Sequence, residues 1–195
     1  MLTAELVKAF WAHMQNEFGS SVEQKNDSAL MEAVAGFLEM LSIQDKETFL
    51  KDFVTTLGRT IYIPFELGAD DPRWPLWNQV RVCVHEHQHI VQGEREGWAV
   101  FDSRYLTSSS FRAGYEAEAY GCDMEMEWWH TGQIFDIAGR AAGLKAYGCS
   151  AEDIAQAEQA LTIRAGVLTQ GGVSNLASLE AIAWLEANVT GLRIA

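Results

Sequence analysis

Val82-Cys83-Val84-His85-Glu86-His87-Gln88-His89-Ile90-Val91-Gln92 holds three of the chain's five histidines. In the register His85, Glu86, His89 it reads HExxH. Residues four apart on an α-helix stack on one face, so His85 and His89 can present imidazole nitrogens to one ion. Glu86 is turned about 100° from His85, where it can reach a water on that ion and take its proton. His87 projects away from that face and reads as a non-ligand. Val80, Cys83, Val84, Ile90 and Val91 frame the window with apolar residues, so the helix is partly buried. Two imidazoles and a carboxylate buried without partners are costly, and a metal removes that cost.

Working outward, residues 76–92 read as the helix that carries this window, with Pro75 suited to its start. Gly93 permits a bend, and residues 94–106 read as the next helix, with Trp98, Phe101, Tyr105 and Leu106 on its apolar side. The segment 107–110 is a cap for a helix over residues 111–129. Upstream, residues 60–67 (Thr-Ile-Tyr-Ile-Pro-Phe-Glu-Leu) are rich in β-branched and aromatic residues and form the best strand signal in the chain. Pro64 cannot donate to a ladder, which points to an edge position or an irregular end. The N-terminal third shows three helical periods. They cover residues 2–18 (Leu2, Leu6, Phe10, Met14, Phe18), residues 28–41, and residues 45–57, with Gly58 ending the third. The last third is helical again. Ser150 with Asp153 forms a capping box, and Gly171-Gly172 separates two helical pieces.

HExxH supplies two ligands, and a catalytic zinc wants a third together with an open position. The extended metzincin continuation is missing, because Gln92 and Arg95 stand where its glycine and histidine would be. The third ligand must come from elsewhere, and the obvious place is the acidic, aromatic stretch Tyr115-Glu116-Ala117-Glu118-Ala119-Tyr120 on the helix downstream. There Glu116, Tyr120, Asp123 and Glu127 share one face, and Glu118, Cys122, Glu125 and Trp129 share another. Two such faces cannot both point at one metal.

The pair of His85-Glu86-His87-Gln88-His89 and Tyr115-Glu116-Ala117-Glu118-Ala119-Tyr120 resembles the zincin metallopeptidases whose third ligand is a glutamate. It also looks like small bacterial and phage zinc-peptidase domains. The resemblance covers roughly residues 60–130. It implies that zinc is held by His85, His89 and Glu116, with Glu86 as general base for peptide-bond hydrolysis. It implies a strand at the lip of the cleft, able to pair with an extended peptide. The chain departs from the pattern at Tyr120, where Asp or Asn is usual. Asp123, one turn on, is the candidate to orient His85 or His89 through a ring N–H. Tyr115, Tyr120, Arg112 and His130 are the candidates for assisting the developing oxyanion, with a helix-end interaction the plainer reading of His130.

The chain carries 14 Lys+Arg against 27 Asp+Glu, a formal charge of -13. That acidity argues against nucleic acid and anionic membranes as partners and favours a neutral or basic peptide or protein substrate. The three cysteines, Cys83, Cys122 and Cys149, form no CxxC and read as buried free thiols. No signal-peptide or membrane-spanning pattern is present, so a cytoplasmic location is expected. The length fits one domain over residues 1–195, with a helical N-terminal part (1–57), a metal-site core (58–132) and a helical C-terminal part (133–195). The expected fold class is α+β, predominantly helical and zincin-like, with a short sheet before the active-site helix.

Two competing readings follow from the same residues. Glu86-His87-Gln88-His89 and Glu127-Trp128-Trp129-His130 both contain ExxH, the element of ferritin-like di-iron sites. Alternatively, the domain binds zinc and recognises a protein without cutting it.

Overall fold

The computed structural model describes residues 1–40 and 45–193. The elements run in the order α1 (Ala4–Phe18), β1 (Ser21–Gln24), α2 (Ala29–Met40), α3 (Lys46–Asp52), β2 (Thr55–Leu57), β3 (Thr60–Ile63), α4 (Leu76–Glu96), α5 (Trp98–Thr107), α6 (Ser109–Thr131), α7 (Ile137–Ala142), α8 (Ala151–Leu168) and α9 (Leu176–Asn188). A 3-10 turn precedes α2 (Lys25–Asp27) and another follows α7 (Gly143–Tyr147). The architecture is α+β and mainly helical. No helix among the described residues is long and apolar enough to cross a membrane.

Local sequence accounts for most boundaries. The Thr3 hydroxyl accepts from the Leu6 N–H to start α1, and Gly19 in the left-handed region ends it. Ser108 caps α6 and Gly132 closes it. Ser150 and Asp153 form the full reciprocal capping box of α8.

The structure corrects three expectations. The helical period over residues 45–57 is cut short at Asp52, and Thr55–Leu57 is the strand β2. Val54, Thr55 and Thr56 are β-branched, and Gly58 at φ 56° lets β2 fold back antiparallel onto β3. Strand β3 is not an edge. The sheet order is β1-β3-β2, with β1 parallel to β3. Ile61 and Ile63 enter the main core while Tyr62 packs with Met31, Ala35 and Phe49 below α2 and α3. Burial on both faces explains the unbroken apolar run. Pro64 falls just past the last paired residue and disturbs no ladder. The third correction is the helix break, which comes at Gly97 (φ 85°), not at Gly93. Gly93 serves a close approach instead, since a Cβ there would collide with the Trp98 ring.

Helix α4 is the central element. It packs against α1, α5, α6, α9 and β2. Val80, Cys83 and Val84 of α4 meet Phe10, Trp11 and Met14 of α1 and Ala181 and Leu185 of α9 in one cluster. A second cluster lies between α6 and α8, around Met124, Leu144, Leu161 and Leu168. All three cysteines are free and buried.

The α3–β2 connection is held by a fully buried lysine. Lys25 Nζ donates to the carbonyls of Phe49 (2.8 Å) and Phe53 (3.0 Å) and to Thr55 Oγ1 (2.7 Å), and lies 3.5 Å from the centre of the Phe49 ring. Burial pulls this ammonium from its ordinary 10.5 down to about 7, with the Glu86 charge acting in the opposite sense. The folded chain therefore binds fewer protons than the unfolded one between those two values. The residue's contribution to stability grows with pH across that window and is lost as pH falls through about 7. Urea unfolding of wild type and Lys25→Met should show the wild type gaining on the variant from pH 6.5 to pH 9. A pH-independent difference would contradict this account.

Candidate metal centre

Helices α4 and α6 bring the candidate ligands together. Their paired residues run in opposite directions, with Trp77 reaching Glu127, His85 reaching Asp123, Gln88 reaching Glu118 and Gln92 reaching Tyr115, so the two helices lie antiparallel. His85 Nε2 lies 3.5 Å from Glu116 Oε2, and His89 Nε2 lies 3.5 Å from Glu116 Oε1. Among the described residues, His85, His89 and Glu116 are the one group of three able to hold a metal ion, with their donor atoms all within 4.8 Å of one another. All three are buried.

Three observations show that this donor set fits a cation. First, Glu116 Oε2 is buried and has no hydrogen-bond partner among the described residues, which is costly for a carboxylate oxygen. Second, 3.5 Å is long for a hydrogen bond but close to the roughly 3.4 Å expected between two ligands of a tetrahedral zinc. Third, the far sides of both rings meet acceptors. Gln92 donates its amide N–H to the Tyr115 carbonyl (2.9 Å), so its Oε1, 2.8 Å from His89 Nδ1, must accept. That places the proton on Nδ1 and leaves the Nε2 lone pair facing Glu116. His85 Nδ1 faces Asp123 Oδ2 at 3.4 Å, and Arg140 Nη1 lies 3.7 Å from the same oxygen.

The electrostatics agree. Burial acts to lower the His85 imidazole, but Asp123 and Glu116 outweigh it and hold the ring's pKa well above the ordinary value. His89 is raised in the same way by Glu116. Burial acts to raise the Glu116 carboxyl, and the two imidazoles outweigh it and hold it far below the carboxylate range. The pocket of negative potential that does this to an imidazolium acts equally on a metal ion.

The structure chooses between the two faces of α6. Glu118 points away from the histidines, accepting from Gln88 Nε2 (2.7 Å) and bidentately from Arg95 (2.9 and 3.0 Å). His87 faces α1, where its Nδ1–H donates to the Cys83 carbonyl and its Nε2 accepts from the Ser20 hydroxyl. Burial holds that ring's pKa at about 4, neutral and structural. Tyr115 turns outward to Glu96, and His130 lies over Trp77 at the far end of α6. Glu127 also engages Trp77 and Arg81 there, so the second ExxH does not meet the first. Tyr120 lies beside the His85 ring (5.4 Å), and Arg112 lines the cavity with two of its donors on the Tyr105 and Tyr147 carbonyls.

The ligands open onto a cavity of about 410 Å³ walled by α2, α3, β2 and α5. Its lining is predominantly apolar, including Val34, Phe49, Phe53, Leu57 and Phe101. Glu86 sits on this wall, and the Thr56 hydroxyl of β2 donates to its Oε2 at 2.7 Å. Tyr105 donates to Glu116 Oε1 at 2.5 Å, and Tyr147 lines the same space. Sequence reading missed the roles of Thr56, Gln92, Tyr105 and Tyr147. Only Gln92 carried a local signal, one turn beyond His89.

No protein-family description, no curated protein and no solved structure matches this chain. Glu116→Ala should abolish stoichiometric zinc uptake, measured by metal analysis after dialysis, whereas Glu118→Ala should leave it intact. Gln92→Ala should weaken zinc by about 10–100-fold, as loss of a residue that orients a metal-binding histidine does.

Proposed function

We propose that the protein is a zinc-dependent, zincin-like metallopeptidase that hydrolyses peptide bonds in a peptide or protein substrate. One observation carries the reading. A buried His85–His89–Glu116 group lies at the floor of an apolar cavity, and the carboxylate of the intervening Glu86 is held on the cavity wall by Thr56. Two imidazoles and one carboxylate are a recurrent ligand set of catalytic zinc. Zinc held there would supply Lewis acidity to a peptide carbonyl and would acidify water.

The chain's own residues supply the rest. Thr56 fixes Glu86 through Oε2, which leaves Oε1 to take the proton of the attacking water. Glu86 then returns that proton to the amine nitrogen as the C–N bond breaks. Gln92 and Asp123 keep the two rings in the orientation that ligation requires. The apolar walls exclude bulk water and strengthen these interactions. The cleft-lip strand is β2, not β3. Its outer edge is unpaired among the described residues and borders the cavity, so an extended peptide can add to it.

Glu86→Gln should retain one zinc per chain and lose peptide hydrolysis by about 10³-fold, the scale of a general base. Hydrolysis at the wild-type rate would refute the peptidase, and zinc bound without hydrolysis in the wild type would favour a silent binding module. Thr56→Val should keep the metal and lower kcat by about 10-fold, since it removes only the donor that positions the base.

A further inference from the structure

Among the described residues, the cavity wall holds one carboxylate that the proposed reaction does not use. The Thr55 hydroxyl accepts from Lys25, Thr56 serves Glu86, and Tyr105 serves Glu116. Arg112 directs donors to the carbonyls of Tyr105 and Tyr147. Asp102 is different. Its half-buried side chain lines the cavity and meets no hydrogen-bond donor or cation among the described residues. Burial alone pushes its carboxyl up, and Arg112 does not reach it. Residues 41–44, outside the description, contain no Lys or Arg.

Its position matters as much as its lack of a partner. Asp102 lies three residues before Tyr105 on α5, and residues at that spacing share a helix face. The Tyr105 hydroxyl touches Glu116, so Asp102 stands about one helical turn from a residue in contact with a candidate ligand, on the same cavity. Around it the wall is apolar, with Phe53, Leu106 and Phe49 lining the same space. A carboxylate facing a partly dry apolar cavity is unfavourable by itself, and a cation brought in by a ligand relieves that cost.

We propose that Asp102 is a specificity residue that receives a cationic group of the peptide, a lysine or arginine side chain or a terminal amine, next to a bulky apolar residue. The proposal rests on the peptidase reading for its substrate class but not for its test. The substrate is then a basic, apolar peptide segment, in keeping with the acidic character of the whole chain.

Binding is measured by calorimetry on the zinc-loaded Glu86→Gln protein. The probes are terminally blocked hexapeptides with adjacent phenylalanine and lysine in both orders, and their counterparts with norleucine in place of lysine. The lysine peptide should bind about 10–100-fold more tightly, the range of a charge-assisted hydrogen bond. The preference should vanish when Asp102→Asn is added. An unblocked norleucine peptide that gains affinity through Asp102 would assign the cation to the terminal amine. Equal affinities for all the peptides, blocked and unblocked, a preference that survives Asp102→Asn, or no binding of any peptide would each overturn the proposal. Cleavage of the same peptides by the wild type is read separately. Preference without cleavage removes the peptidase and leaves Asp102 in place, and cleavage without preference does the reverse.

Discussion

The buried carboxylate of Glu116 between two imidazoles is the constraint on which this structure turns. A carboxylate taken out of water must be matched by cations or donors. Here it lies 3.5 Å from each of two rings, one oxygen accepts from Tyr105, and the other has no hydrogen-bond partner among the described residues. Satisfying it requires α4 and α6 to pack closely in one register.

The same requirement shapes the surroundings of α4. One face carries Cys83 and His87 toward α1, where neutral His87 is satisfied by a carbonyl and a hydroxyl. A second face carries Gln88 toward Glu118, and with Arg95 this fixes the register of α4 against α6. The third carries His85 and His89. The helix is therefore polar along much of its length and yet buried, because each polar side chain has a specific partner. Glu86 belongs to the cavity side, where β2 supplies the Thr56 hydroxyl. Lys25 ties β2 to the end of α3, so the placement of Thr56 depends on a buried ammonium on a distant turn.

Much of this was legible from residue order. HExxH spacing located two candidate ligands and the carboxylate between them, because four residues make about one helical turn. Helix limits at Gly19, Ser108, Gly132 and Ser150 followed from local capping chemistry. The face of α6 that meets the histidines was not decided by periodicity, because both faces carry carboxylates and aromatics at helical spacing. Family resemblance pointed to Glu116, and the Arg95–Glu118 pair supplies the physical reason. Strand β2 was hidden by a helical period in Phe49, Leu50, Phe53 and Val54, which the hairpin at Gly58 overrode.

What the sequence determined by itself is local: helix identity, caps, the two-histidine face, and an acidic chain with few cations to neutralise it. What only the tertiary structure decided is non-local. It placed β3 at the centre of its sheet, brought Glu116 rather than Glu118 to the two histidines, brought Thr56 to Glu86 and left Asp102 on a cavity wall without a counter-charge among the described residues. The division has a physical cause. Helical spacing and capping are set by neighbours within about one turn, whereas the partner of a buried charge is set by which segments, tens of residues apart, pack against it.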